Sequence, residues 1–367
     1  MGAKVFLPWL WFCLILPGVS SPILAREESF DYLLMFAKNQ AGEASEACES
    51  TMCRTLKHMI DEAQNSIDFA IYGIRKQNDI KDALFAARLR GVRVRGFVDS
   101  SNRFCGSEGG YYYDDTASLI EGLGGSDIVR CDNVIGFSYI MHNKFFIFDQ
   151  KKVWTGSTNI SDTGTGGELN SNLALILSSP AVARTYGKQF DELYHGGSHR
   201  NGTDNTRHFF SFEDNTNVEL YFSPTDDALR NGIHSVIDGA TSTLDIMMFF
   251  LTDIETAWRI AAAERRGVRV RLILDHLGSK NEASQHKFLC KKGVDVKIEN
   301  WSGKMHMKAA VADTKSVVLG SQNWTRNGNE GNDENTLVIH NEALATSLQS
   351  EFNRLWKTLR KIKTCQW

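Results

Sequence analysis

Two copies of one polar signature stand out in the sequence. His142, Lys144 and Asp149 are followed by Gly156, Ser157 and Asn159; His306, Lys308 and Asp313 are followed by Gly320, Ser321 and Asn323 at identical spacing. Two imidazoles, two ammonium groups and two amides around one point suit a phosphodiester. Its cleavage spreads negative charge over the non-bridging oxygens, which Lys144, Lys308, Asn159 and Asn323 would stabilise as fixed donors, with Ser157 and Ser321 adding hydroxyls. One histidine can attack phosphorus while the other protonates the leaving oxygen and then activates water. These roles need opposite protonation states, so a carboxylate beside one histidine would separate the two pKa values. Lysines stand in for a divalent cation, so this chemistry asks for no metal and no cofactor. One His-x-Lys pair alone would read as two polar residues on a strand. The duplication reverses that reading.

The flanking segments say how such residues would be held. The runs FFIFD and AAVAD read as strands that turn at Asp-Gln-Lys-Lys and Asp-Thr-Lys-Ser into VWTGS and VVLGS. Alternate residues of a strand share a face, so each histidine points the same way as the lysine two residues on. Asp149 and Asp313 have the opposite parity; within the catalytic set they are given a supporting or charge-pairing role. Upstream, residues 60–99 are matched by residues 237–275, each with an apolar strand (Ser66–Ile74, Thr243–Leu251), an Ala-rich amphipathic helix and a strand after GVRVR. Strand, helix, strand at this spacing is a βαβ unit with parallel strands. The expected fold class is therefore α/β: two similar βαβ-rich halves, each a mixed, largely parallel sheet flanked by helices. The halves are placed at 21–195 and 217–367, joined by a polar linker at 196–216. Extra residues in the first half fall within Arg103–Asp115, a Gly-rich loop carrying Phe104 and Tyr111 to Tyr113.

With its duplicated motif, GVRVR strands and downstream acidic pair, the sequence resembles the phospholipase D superfamily over about residues 45–360. The resemblance implies that the motifs meet at a pseudo-twofold interface, form one site and work through a phosphohistidine. It also implies that a Glu eleven residues after the motif Asn orients a catalytic histidine. Glu334 fits that place in the second half. The first half has Asn170 there, with Asn172 matched to Asn335 and Glu168 as a substitute carboxylate. By resemblance His142 is the nucleophile and His306 the acid.

Composition bounds the rest. Hydrophobic residues at 42%, charged residues at 23% and five prolines exclude disorder, collagen and coiled coil. The formal charge of −3 offers no basic excess for broad capture of duplex DNA. Residues 1–20, with Lys4 before an apolar core from Val5 to Leu16 and small residues at Gly18 to Ser20, have the layout of a secretory signal peptide. Secretion leaves Cys48, Cys53, Cys105, Cys131, Cys290 and Cys365, an even number in an oxidising compartment. Proximity favours Cys48–Cys53 and Cys105–Cys131, leaving Cys290–Cys365. Sequons occur at Asn159, Asn201, Asn300 and Asn323, of which Asn201, in a polar loop, is the glycosylation candidate. His195, His199 and His208 read as solvated linker residues rather than a metal site. The favoured substrate is a phospholipid, with single-stranded nucleic acid as the alternative and a catalytically dead binding module third. Tyr111 to Tyr113 would touch a membrane surface or stack bases. Both motifs lie in one chain, so no obligate partner is needed and a monomer is expected.

Overall fold

The computed structural model describes residues 29–37, 42–100, 113–132, 139–197 and 208–359. The expected signal peptide, Cys105, Tyr111, Tyr112, His199, Asn201 and Cys365 lie outside them. Among the described residues no helix is long and apolar enough to cross a membrane.

The first half contains β1 (Asp31–Phe36), β2 (Ser66–Ile71), β3 (Ile74–Arg75), β4 (Arg93–Val98), β5 (Val129–Cys131), β6 (Lys144–Phe148), β7 (Lys152–Gly156), β8 (Ile160–Ser161) and β9 (Leu173–Ser178). Seven of these form one sheet in the order β1-β9-β7-β6-β2-β4-β5, and β3 and β8 pair separately. The second half contains β10 (His208–Ser211), β11 (Asn217–Ser223), β12 (Thr243–Met248), β13 (Arg269–Leu274), β14 (Asp295–Ile298), β15 (Lys308–Ala312), β16 (Ser316–Gly320) and β17 (Glu334–His340). They form an eight-stranded sheet in the order β10-β11-β17-β16-β15-β12-β13-β14. The two βαβ units are present, and both sheets are mixed. Within these two sheets parallel pairing is confined to β2-β4-β5 and β12-β13-β14, while the remaining neighbours run antiparallel; the separate β3-β8 pair is parallel. The expectation of largely parallel sheets is thus corrected: hairpins such as β6-β7 and β15-β16, which need only short turns, supply most of each sheet. The linker is also shorter than expected, because residues 208–211 already form β10 against β11.

Both faces of each sheet are covered, so the central strands are apolar throughout. The β2 segment SIDFAI and the β6 segment KFFIF are buried at every position. Helices Thr51–Glu62 and Asn78–Leu89 cover the outer face of the first sheet, and Ile254–Arg265 has the same place on the second. Helices Pro180–Gly196 and Glu342–Thr358 supply side chains to a central core shared by both sheets, where Tyr186 meets Phe222 at 5.3 Å between ring centroids. The GVRVR arginines belong to this layer. Asp68 of β2 is buried and lies opposite Arg95 of β4, whose Nε donates to it at 2.8 Å; Asp245 and Arg271 repeat the pair at 2.6 Å. A buried carboxylate needs such a partner, and the guanidinium planes stack on Phe190 and Phe352.

Cys48 and Cys53 form a disulfide at the start of helix Thr51–Glu62, where Ser50 caps the first turn. Cys131 and Cys290 are also disulfide-bonded; their expected partners lie outside the described residues. Tyr113 is buried and packs edge-on against Tyr72 at 5.1 Å. This removes Tyr113 from any membrane contact.

Candidate active site

The two motifs converge because each half threads a short segment into the other. The His142 N–H donates to Asp333 O, and the His306 N–H donates to Ser171 O, both at 2.9 Å. Parallel bridges Met141–Asp333 and Ser171–Met305 frame these contacts. Each histidine is thereby pinned to the loop that ends in the opposite half's β9 or β17. Behind it, Lys144 and Lys308 open β6 and β15, and each ammonium donates to the carbonyl of its own histidine at 2.6 Å.

The return strands end at Gly156 and Gly320, where a Cβ would collide with the carbonyls of Leu173 and Asn335. Only glycine allows this approach, which brings Ser157 and Ser321 beside the histidines. The Leu173 N–H donates to Ser157 Oγ at 3.1 Å, and the Asn335 N–H donates to Ser321 Oγ at 3.0 Å. Asn159 and Asn323 are half-buried at the same edge. Asn323 Oδ1 accepts from the Phe250 N–H, whereas Asn159 Oδ1 is buried without a hydrogen-bond partner among the described residues.

The symmetry breaks at the imidazole Nδ1 atoms. His142 Nδ1 lies 2.8 Å from both oxygens of Glu334, a carboxylate from the opposite half. Glu334 is fully buried and also accepts from Asn332 Nδ2 at 3.2 Å. His306 Nδ1 instead faces two neutral acceptors at 3.1 Å, the Ser157 carbonyl and Asn172 Oδ1. A carbonyl has no hydrogen to give, so Nδ1 of His306 carries the proton and Nε2 is left for chemistry. The structure corrects the expected correspondence here. Asn172, not Asn170, is the counterpart of Glu334, and Asn335 is the counterpart of Leu173. Ser157 N–H to Leu173 O and Ser321 N–H to Asn335 O fix that register. Glu168 does not serve as the substitute carboxylate. Asn170 and Asn332 form another matched pair, accepting from the backbone N–H groups of Lys304 and Ile140.

Asp149 and Asp313 stand apart from this cluster. Asp149 accepts backbone N–H bonds from Gln64, Asn65 and Ser66, and Asp313 accepts from Thr241, Ser242 and Thr243, all at 2.7–3.0 Å. Burial alone would raise both pKa values, but these donors hold them below the usual carboxylate range. Their role is to tie the β6-β7 and β15-β16 turns to the starts of β2 and β12. This is the supporting role of the two alternatives given above, with Lys151 adding a favourable charge beside Asp149.

Confinement sets the electrostatics. Burial, followed by Lys144 and Lys308, pushes His142 well below its ordinary pKa; burial and the same two lysines do so for His306, with Lys304 adding to it. Burial brings Lys144 down to about 7 and holds Lys308 well below its ordinary value, while it raises Glu334 to about 7. Burial thus disfavours the charged form of each group: the histidines and lysines give up protons more readily, and Glu334 holds its proton more tightly. A phosphate anion supplies the missing negative charge and favours the protonated forms. Aromatic rings wall both sides, Tyr72 at 6.0 Å from the His142 ring and Phe249 at 5.0 Å from that of His306. They close matched strands in AIYG and MMFF, a signal that was present in the repeat.

Comparison with known proteins places this site in a family. Residues 56–194 and 233–356 match the family model described as cardiolipin synthase, PLD-like domain. The chain belongs to the phospholipase D-like family. A mitochondrial cardiolipin hydrolase of Chlamydomonas reinhardtii is 32% identical over 120 residues, 33% of this chain and 54% of that protein. A phospholipase D of Rickettsia conorii is 32% identical over 123 residues, 33% of this chain and 62% of that protein. This chain thus spans little more than half the length of those curated relatives. The phosphatidylserine synthase of Haemophilus influenzae shares the fold, with a TM-score of 0.64, 14% identity and coverage of 92% of this chain and 90% of that one.

Proposed function

We propose that the protein is an exported phosphodiesterase that cleaves phospholipids through a covalent phosphohistidine on His142. The observation that carries this reading is the unequal anchoring of two otherwise equivalent imidazoles. Attack by His142 Nε2 forms an N–P bond and leaves the ring cationic if Nδ1 keeps its proton, a charge that Glu334 at 2.8 Å stabilises. His306, held by neutral acceptors, gives its Nε2 proton to the leaving oxygen as the P–O bond breaks. It then takes a proton from water, whose oxygen displaces His142 from phosphorus. Lys144, Lys308 and the motif amides hold the non-bridging oxygens throughout.

Support for a lipid substrate comes from the relatives, named for cardiolipin hydrolysis and as phospholipase D. Tyr72 and Phe249, one ring on each side, keep single-stranded nucleic acid as a second reading, because bases stack on such rings. Export is supported by the bonded state of Cys48, Cys53, Cys131 and Cys290. Each motif finds its partner within the chain, so one protomer suffices for a site.

The test is a parallel assay in EDTA of phospholipid vesicles with a primary alcohol, and of single-stranded DNA. Phosphatidyl-alcohol is the expected product; DNA fragments with no lipid product would replace the lipid by the nucleic acid. His142→Ala and His306→Ala are each expected to abolish turnover. With an activated leaving group only His306→Ala should accumulate phosphoenzyme, and equal labelling of both variants would remove the assignment.

A further inference from the structure

Beside the reacting cluster lies a second contact between the halves that the chemistry above does not use. Glu334 and Asn335 are adjacent in β17, as His142 and Asn143 are adjacent before β6. Glu334 takes the His142 ring, and Asn335 Nδ2 donates to Asn143 Oδ1 at 2.9 Å. Two neighbouring residues of one half thus grip two neighbouring residues of the other. The Asn335 amide is itself held. Its Oδ1 accepts from Thr155 Oγ1 of β7 at 2.9 Å and from the Tyr186 hydroxyl of helix Pro180–Gly196 at 3.2 Å. Burial raises the Tyr186 pKa, so its hydroxyl stays a donor. Asn143, Thr155, Tyr186 and Asn335 are all buried.

The pseudo-twofold provides the control. Motif spacing matches Asn143 to Met307 and Thr155 to Leu319. The helix caps Ser179 and Asn341 match Tyr186 to Leu348, and Leu173 is the counterpart of Asn335. All four counterparts are apolar and fully buried in the central core. The fold therefore closes this contact with apolar side chains where only packing is asked of it. Polar groups in the same setting gain little net stability, because each bond replaces one to water, and any unmade bond is costly. What they add is direction: a satisfied buried network fixes one orientation of the chain segments it joins.

We infer that this polar quartet is a positioning device for the nucleophile: Asn335, braced by Thr155 and Tyr186, clamps Asn143 and so holds the His142–Lys144 backbone in one alignment with Glu334. The four residues act through His142 rather than on the substrate. The inference rests on the reading of His142 as nucleophile, and it accounts for a clamp built on that side alone. An attacking nitrogen has to meet phosphorus in line, where a misplacement of ~1 Å costs about 10²-fold. His306, which relays a proton, is held by its two Nδ1 acceptors and by apolar packing.

The experiment reads the attack step alone. In the full, disulfide-bonded chain carrying His306→Ala, bis(4-nitrophenyl) phosphate needs no acid for its leaving group. The first-turnover burst of nitrophenolate then reports N–P bond formation at His142. Asn335→Leu and Asn143→Met, which copy the other half, should each slow that burst by about tenfold or more with substrate affinity unchanged. The double variant should stay within about twofold of the slower single, because either change already breaks the bond. Leu319→Val, a truncation in the same core, should lower Tm and leave the burst rate as it was. Effects that multiply in the double variant, or burst rates that fall only in step with Tm across all these variants, overturn the clamp. Should Asn335→Leu fail to fold, Thr155→Val combined with Tyr186→Phe decides, since it nearly keeps both shapes and leaves Asn335 Oδ1 without these donors. A burst slowed about tenfold supports the clamp, and an unchanged one overturns it. A His306→Ala protein that gives no burst before any clamp residue is changed overturns the choice of nucleophile instead, a separate result.

Discussion

At the scale of single residues, a carboxylate at Nδ1 of His142 and a carboxamide at Nδ1 of His306 ask different things of the two rings. Glu334 favours an imidazole that becomes cationic and stays so while phosphorylated. Asn172 leaves His306 free to give up its proton and to take one back. Asn172→Asp would place an anion at the second ring and raise the His306 pKa. The alkaline limb of kcat/KM, which requires His306 protonated, should then move to higher pH, and an unmoved limb would show that Asn172 only fills space. Lys144 offers a stability test with a definite sign. Its folded pKa of about 7 lies below the ordinary lysine value, so between those two pH values the unfolded chain binds a proton that the folded chain lacks. Stability is therefore lost as pH falls from about 10 towards 7. Lys144→Met should raise Tm at pH 7–8 while abolishing turnover, with the gain shrinking as pH nears 10. A lower Tm at pH 7–8 would contradict this. The histidines, lysines and motif amides could be read from sequence because their spacing repeats. Asn172 could not, because its loop from Asn159 is two residues longer than that from Asn323 to Glu334, and counting fails where loops differ.

At the scale of elements, conserved spacing within the repeat has two separate origins, chemistry and turn geometry. Asp149 sits at a hairpin turn where it and Gln150 both have positive φ, and Asp313 and Thr314 repeat this. Asp tolerates that region and ties down three N–H groups of the neighbouring loop. Asp149→Ala should therefore lower stability by about 1–3 kcal/mol, the range for losing hydrogen bonds to a charged group at a half-exposed site. Turnover per folded molecule should stay within a few-fold of wild type. A large loss of kcat at unchanged Tm would return Asp149 to the catalytic set. Strand parity already indicated that the aspartates face away from the histidines; what parity could not supply is the partner, since the loop at Gln64–Ser66 is distant in sequence. The GVRVR arginines were similarly visible as a repeat, whereas their task, neutralising Asp68 and Asp245 inside the sheet, emerges only from strand register.

At the scale of the molecule, neither half is complete alone. The first provides His142 and the Asn172 that anchors His306; the second provides His306 and the Glu334 that anchors His142. The central core is likewise joint, with Phe145, Tyr186 and Phe190 packed into one cluster with Phe222, Leu337 and Phe352. Sequence showed two related halves because apolar periodicity and motif spacing are local properties. The crossing of the segments that end at Asp333 and Ser171 depends on how the sheets face one another, which no local pattern records. This arrangement makes a specific expectation about the connection at residues 198–207. A protease site placed there should be cut without loss of activity, because the cross-half backbone bonds, the His142–Glu334 contact and the shared apolar core all lie elsewhere. Such a core resembles an obligate interface, which holds without a covalent link. The two fragments should co-elute by size exclusion at native pH and retain turnover, and they should separate only in denaturant. Each half expressed alone should be inactive, since its histidine lacks the opposite anchor and its inner face is uncovered. Fragments that part in native buffer, or an isolated half that turns over substrate, would show that the halves are independent domains.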